Sequence, residues 1–517
     1  MPERISFGKL DVHVTASSDS PERTPSSDIP FRIAVLGDFS GQAGRESARS
    51  QPAKLRPLLI DRDNFDEVLQ KLNVEAHLQL GTTSQRLVLR FQSLDDFHPD
   101  QILARVPLFS RLREARKKLS NPSSFAEAAA EVRSWAGEQP EASPPKQAGE
   151  AQPETSQQEN ELSAGFLLDD LKVRETSAPG AIVSSEWNET LRDLVRPHRL
   201  PAEDPEQSQL VGYVDAAIGE LMEAILHHPE FQALEATWRG VYFLVGRLET
   251  GSELKIYLLD LTREELASDL KSADDLSRTA LYRAIVEETV QTPGADPWAL
   301  LAGNYAFELE NADIETLGRL ARIAAAAGAP FVAAAGSSLI GCSSLAATPD
   351  PDDWSLPSGT DVAQAWEALR QLPEASSLGL ILPRFLLRLP YGKKSDPVES
   401  FSFEELDATP QHEHYLWGNP CFVAALLLGR TFGESGWEFS EGIQQDVEGL
   451  PLHVFEEDGE SVVKPCAEVL MTQRAAQKIL SLGVTPLASM KGEDRVRLVQ
   501  FQSIASPVAA LAGRWRS

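Results

Sequence analysis

Several groups of residues have types and spacings that chemistry would need. His412-Glu413-His414 would set two imidazoles on the same side of an extended chain, the arrangement a metal ion requires, but no third ligand is evident nearby. His227-His228 precedes Pro229 in a helix-period stretch. Adjacent helical side chains point about 100° apart and share one ion poorly, so an interface or surface role is favoured. His453, in LPLHVF, reads as a core or interface histidine. The turn VLGDFSGQAGRES follows an apolar strand and invites a phosphate-loop reading. Its spacing fails: no glycine lies five residues before a Gly-Lys-Ser/Thr triplet, and Arg45 is not followed by Ser or Thr. Gly37 and Gly41 read instead as the pivots of a tight turn. Ala335-Gly336-Ser337-Ser338 ends an apolar run where α/β enzymes often hold ligands, yet it lacks the G-x-S-x-G elbow. No set of Ser, His and Asp can be assembled. Cys342, Cys421 and Cys466 are too far apart for a CxxC pair and odd in number, so each reads as a small buried apolar residue. The residues therefore nominate no catalytic, cofactor-binding or metal site, and the chain reads as a non-enzyme.

The elements that would position these residues belong to a chain of 517 residues, too long for one ordinary core. The net charge of −29 repels phosphate backbones and argues against nucleic-acid binding. Any self-association must complement that charge locally and should depend on salt. Nothing approaches the ~20 apolar residues of a membrane helix, and the start MPERISFGKLDVHV lacks a signal-peptide layout. No membrane insertion is expected, and the bacterial cytoplasm is the expected location.

The pattern along the chain is α/β, with two segments joined by a linker. Residues 1–29 read as a flexible arm opening on a short strand. Residues 30–136 read as the first domain. Phe31–Leu36 is an apolar strand, Asp61–Leu72 a helix with an acidic first turn, and Arg86–Gln92 an alternating strand. Ser93–Leu112 reads as a helix broken near Pro107, followed by the basic run Arg111–Lys118. Residues 137–160, rich in Pro, Glu, Gln and Ser, read as a disordered linker. Residues 161–517 read as the second domain. Its expected helices are Gln209–Gly246, Thr262–Lys271, Ser277–Thr289 and Asp313–Gly328. Its expected strands are Leu254–Leu261, Pro330–Gly336, Leu378–Leu382 and Arg497–Ile504, and Ala299–Gly303 is a short apolar run. The wholly apolar runs among them predict strands buried on both faces. Trp238, Trp417 and Trp437 read as core residues before interface anchors. Beside the linker, GFLLDDLKV carries Phe166, Leu167, Leu168 and Leu171, an apolar piece of the kind that docks in a groove or packs on its own domain.

Ordered motifs carry a resemblance. PFRIAVLGDFSG, IDRDNFDEVL and FQSLDDFHPDQI resemble the small subunit of the type VI secretion contractile sheath. HHPEFQALEATWRG, GNYAFEL, APFVAAAG, LPRFLLRLPYG, HYLWGNP and EVLMTQR resemble its large subunit. The resemblance implies a contractile-sheath-like fold and a structural role without cofactors. Its partners would be other sheath subunits, an inner-tube protein, a AAA+ disassembly ATPase and the baseplate. It also makes Phe166, Leu167, Leu168 and Leu171 candidates for binding the ATPase or another partner. In the family the two subunits are separate chains, whereas here they are joined. A flexible chain of about 24 residues reaches roughly 25–30 Å, so pairing within one chain or with a neighbour is sterically open. Family large subunits continue beyond the KGEDRVRLVQFQSIASP region, so a C-terminally truncated large subunit is expected here. That leaves two expectations, a self-assembling sheath protomer and an accessory protein that caps or regulates a sheath. A soluble ligand-binding α/β protein is the runner-up class.

Overall fold

The computed structural model describes residues 5–10, 25, 28–45, 55–81, 86–136, 207–406, 410–457 and 459–515. It divides into two compact units, one of residues 1–80, 84–104 and 221–517, the other of residues 81–83 and 105–220. The linker reading at 137–160 and the four residues Phe166, Leu167, Leu168 and Leu171 lie outside the described residues. Among the described residues no helix is long and apolar enough to cross a membrane.

The strands are β1 (Phe31–Gly37), β2 (Leu58–Ile60), β3 (Val74–Gln79), β4 (Arg86–Phe91), β5 (Leu254–Asp260), β6 (Leu300–Phe307), β7 (Phe331–Ala335), β8 (Leu378–Leu382), β9 (Phe385–Leu386), β10 (Trp417–Gly418), β11 (Asp446–Val447), β12 (His453–Glu457), β13 (Glu460–Lys464), β14 (Thr485–Ser489) and β15 (Val496–Leu498). Nine of them form one sheet in the order β11-β15-β14-β8-β7-β6-β1-β5-β2. The inner strands run parallel, and antiparallel β2, β15 and β11 close the two edges. β1 lies between β5 and β6, with Phe31 opposite Leu254 and Ile33 opposite Leu300. The N-terminal segment thus supplies an inner strand to a sheet otherwise built mainly from the C-terminal one.

The apolar composition of β1 suits that place. Ala34 and Leu36 join the core cluster of the helix Asn311–Ala327, while Ile33 and Val35, equally buried, alternate with them onto the other face. The helix Cys421–Ser435 is buried along most of its length and packs on β1, β6 and β7. The helix Pro229–Val245 approaches it closely at Gly240, where a Cβ would stand 2.3 Å from the Phe422 ring.

Several expectations are refined. The stretch Gln209–Gly246 forms two helices, Gln207–Leu226 and Pro229–Val245, broken where Pro229 fits the first helical turn. Residues 276–289 form short 3-10, α and π turns rather than one helix. The apolar run at 299–303 extends to Phe307 as β6, whereas the strand expected over Arg497–Ile504 is only the short β15. The helix Asn311–Ala327 ends at Gly328 in the left-handed conformation, as a glycine cap requires. Residues 5–10 are docked: Phe7 lies over Gly318, Arg319 donates to the Ser6 carbonyl at 3.1 Å, and Lys9 bridges to Asp275.

The described residues of the second unit are mostly helical. They include Pro107–Leu119, Phe125–Ala136 and the part of Gln207–Leu226 up to residue 220. Leu112, Ala115, Leu119, Ala128, Val132, Leu210 and Val214 are buried, and Arg116 pairs with Asp215.

Candidate functional site

The motifs of the two segments meet along a seam inside the first unit. The Gly37–Gly41 turn leaves β1 and is tied down from both sides. Asp38 accepts from the Gln42 and Ala43 amides at 2.8 Å each, closing the loop from within. Burial raises the Asp38 carboxyl above its usual range against those bonds. Asp260, at the end of β5, accepts from the Phe39 and Ser40 amides at 2.9 and 3.1 Å and from the Ser40 hydroxyl at 2.7 Å. Gly41 has φ +73°, and a Cβ there would stand 2.0 Å from the Glu75 carbonyl oxygen. The glycine-rich turn is therefore an anchor for β1 on β5.

Aromatic side chains fill the seam. Trp238 is fully buried, donates its indole N–H to the Phe39 carbonyl at 2.9 Å, and meets Phe39 and Phe65 edge-on. Phe91 and Phe97 stack at 3.9 Å and both meet Phe231 edge-on. Trp437 donates to the Ile29 carbonyl at 2.9 Å and packs on Phe31. Arg32 lies over Trp298 and Tyr257 at 4.0 and 4.8 Å from the ring centroids, a cation–π contact worth more when water is excluded. Trp238 and Trp437 thus serve as core residues and as anchors between the segments. Trp417 is buried too and bonds the His412 carbonyl.

Charge is buried beside the seam. Arg388 reaches Glu235 at 2.8 Å and Glu405 at 2.6 Å. Arg239 binds Glu235 at 2.7 Å and the Tyr391 hydroxyl at 3.0 Å. Burial opposes the charge on Glu235, but Arg388 and Arg239 overcome it and lower its carboxyl. Charges this deep persist only when paired and hydrogen-bonded, and the arrangement joins the 229–245 helix to the 385–405 segment. The sequence reading missed these residues. The available signal was Glu235 in LEATW and Arg388 in LLRLP, single charges inside apolar runs.

The histidines behave differently from a metal set. His227 follows the first helix and His228 caps the second, so the two do not share a helical turn. His412–His414 is a 3-10 turn rather than an extended chain, which sends the two imidazoles apart. His412 stacks on Trp417, whereas His414 stacks on His227 with centroids 3.9 Å apart. Donor atoms of His412, Glu413 and Glu468 lie within 4.8 Å of one another. The Arg384 guanidinium already bridges both carboxylates at 3.1 and 2.6 Å, and the Lys464 ammonium is 3.3 Å from the His412 ring. Protein cations thus already serve these groups. His453 bonds the Tyr415 hydroxyl at 2.9 Å.

A cleft of about 800 Å³ opens at the carboxyl ends of β1, β5, β6 and β7. Asp38, Glu230, Glu264 and Glu308 line it together with Arg263 and Asn304, a lining that disfavours phosphate. Ser338 lies in the turn beside it, donating to Glu308 and accepting from the Leu309 amide, so the Ala335–Ser338 stretch ends a strand as expected. All three cysteines are buried, and burial raises the Cys421 thiol well above its usual range.

Comparison with known proteins agrees with the seam. Residues 208–505 match the family described as EvpB/VC_A0108, tail sheath N-terminal domain. Residues 9–135 match the one described as type VI secretion system, VipA, VC_A0107 or Hcp2. The chain is 31% identical over 366 residues to the type VI secretion system sheath protein TssC1 of Pseudomonas aeruginosa, a match covering 69% of this chain and 73% of that protein. It is 31% identical over 98 residues to the sheath protein TssB1 of the same organism, covering 18% of this chain and 56% of that protein. The chain therefore belongs to the type VI secretion sheath family, as a structural component that carries small- and large-subunit sequences in one polypeptide.

Proposed function

We propose that this chain is a fused sheath protomer, small- and large-subunit sequences in one polypeptide, assembling with other protomers around an inner tube. The supporting observation is the place of β1 between β5 and β6. An inner strand makes hydrogen bonds on both sides, so the small-subunit sequence acts as part of the large-subunit sheet rather than as a tethered neighbour. Fusion raises the effective concentration of that pairing far above that of two free chains. In this reading the two parts are residues 30–136 and 161–517, and the 137–160 linker joins them without catalytic duty. The role is mechanical: large complementary surfaces and two packings separated by a modest free energy. The working location is the bacterial cytoplasm. The inner-tube protein, a baseplate and a disassembly ATPase are the expected partners, with Phe166, Leu167, Leu168 and Leu171 as the ATPase handle.

Electron microscopy of the purified protein, alone and with the inner-tube protein across a salt range, tests the reading. Helically ordered tubes or rings are expected. Monomers under every condition would overturn self-assembly and favour an accessory role at the end of a sheath. For the handle, deleting residues 165–173 should abolish ATPase binding, and unchanged binding would end that assignment.

A further inference from the structure

In a chain of net charge −29, positive charge left without a carboxylate marks a place for an acidic partner. One such place lies at the C-terminal end of the 229–245 helix. A pocket of about 350 Å³ opens there, lined by Phe243, Phe385, Leu386, Leu387, Leu389 and Leu450. Its volume falls in the range of ~300–1,000 Å³ that ligand sites occupy. The Phe243 and Phe385 ring centroids stand 5.2 Å apart in its wall. Arg247 closes one side, its guanidinium over Phe243 and bonded to the Glu448 and Gly449 carbonyls. Those carbonyls take up its donors but not its charge. Burial and the nearby Arg430 charge lower the Arg247 guanidinium, and Asp494 opposes them only in part. Arg430 is half-buried and has no hydrogen bond or ion pair among the described residues. The pocket therefore fits apolar side chains that carry a carboxylate beside them.

We infer that this pocket receives residues 166–171 of the chain itself, Phe166-Leu167-Leu168-Asp169-Asp170-Leu171. Between Ala136 and Gln207, this is where three consecutive large apolar residues run directly into two carboxylates. The apolar stretch Leu191–Val195 in the same part of the chain carries Arg192 and is followed by Arg196, which Arg247 and Arg430 repel. With the segment docked, its apolar side chains enter the pocket while Asp169 and Asp170 neutralise the two guanidiniums. A flexible chain of roughly 30 residues, the length from Ala136 to Phe166, spans about 30 Å, and a similar length leads on to Gln207, so there is slack on both sides. A docked segment is withheld from every other partner, so the pocket sets its availability.

A fluorescent peptide of residues 165–173 tests the docking. Its partner is the full chain lacking only those residues, and anisotropy is the readout. Saturable binding is expected, about tenfold or more weaker to the intact chain, whose own segment competes. Arg430→Glu, which removes no existing contact, should weaken the peptide about tenfold, with circular dichroism as the control for folding. A peptide carrying D169K/D170K should bind the unchanged pocket equally poorly and recover affinity on the Arg430→Glu chain. The docking is overturned if the peptide does not saturate, if Arg430→Glu leaves its affinity unchanged, or if the two charge changes fail to rescue each other. The readout is taken on the dispersed chain, so it succeeds or fails separately from sheath assembly and from ATPase binding.

Discussion

The indole N–H of Trp238 donates to the backbone carbonyl of Phe39 at 2.9 Å, inside a fully buried contact. One bond thus ties the large-subunit signature helix to the first turn of the small-subunit sequence. Replacing Trp238 with Phe keeps most of the ring but removes the donor. The expected loss is about 1–3 kcal/mol, since a buried carbonyl loses its partner. Trp238→Ala should cost roughly 3–5 kcal/mol. Denaturant unfolding measures both, and equal stabilities for Phe and Trp would show that the bond contributes nothing.

Arg388 is the common partner of Glu235 and Glu405, and its side chain is only 6% exposed. Arg388→Met should destabilise by roughly 3–5 kcal/mol, because Glu405 keeps its buried charge without its cation. Arg388→Lys restores a charge without the fork that serves two carboxylates, so an intermediate loss is expected. Thermal unfolding of the three proteins should rank them in that order.

Two helical glycines should respond to alanine with opposite signs. At Gly240 the new Cβ would meet the Phe422 ring at 2.3 Å, and Gly240→Ala should cost about 1–3 kcal/mol by overpacking. At Gly219 an added Cβ would meet nothing within 4 Å among the described residues outside its own helix, and Gly219→Ala should stabilise by about 0.5–1 kcal/mol through helix propensity. Paired unfolding curves decide the matter, and a stabilising Gly240→Ala would contradict the packing of the 229–245 helix.

Burial, His414 and Arg388 together push His227 from the usual 6.5 down to about 4. The unfolded chain then takes up a proton near pH 6.5 that the folded chain refuses. The stabilising contribution is complete above pH 6.5 and is lost as pH falls toward 4, on the order of 3 kcal/mol in all. His228 and His453, also lowered mainly by burial, act in the same sense. His227→Gln should flatten stability against pH in that window, and an unchanged slope would place the proton uptake elsewhere.

Much of the site was legible in the amino-acid order. The apolar run at Phe31–Leu36, the buried cysteines and tryptophans, and the turn glycine Gly41 follow from residue type, because burial and backbone conformation are local preferences, whereas Gly37, expected as a second pivot, ends β1 without a positive φ. The motif resemblance indicated the family for the same reason: ordered local signatures survive in sequence. Other features were invisible there. An apolar strand such as β1 can lie between many neighbours, and only the packing of helices hundreds of residues away selects β5 and β6. The stack of His227 on His414 and the sharing of Arg388 by Glu235 and Glu405 likewise join distant positions whose spacing carries no periodic signal. By itself the sequence determined which residues are buried, where the turns fall and which family the motifs belong to. The tertiary structure alone decided that both subunit sequences share one sheet, because strand order is set by long-range packing energy that no local preference encodes.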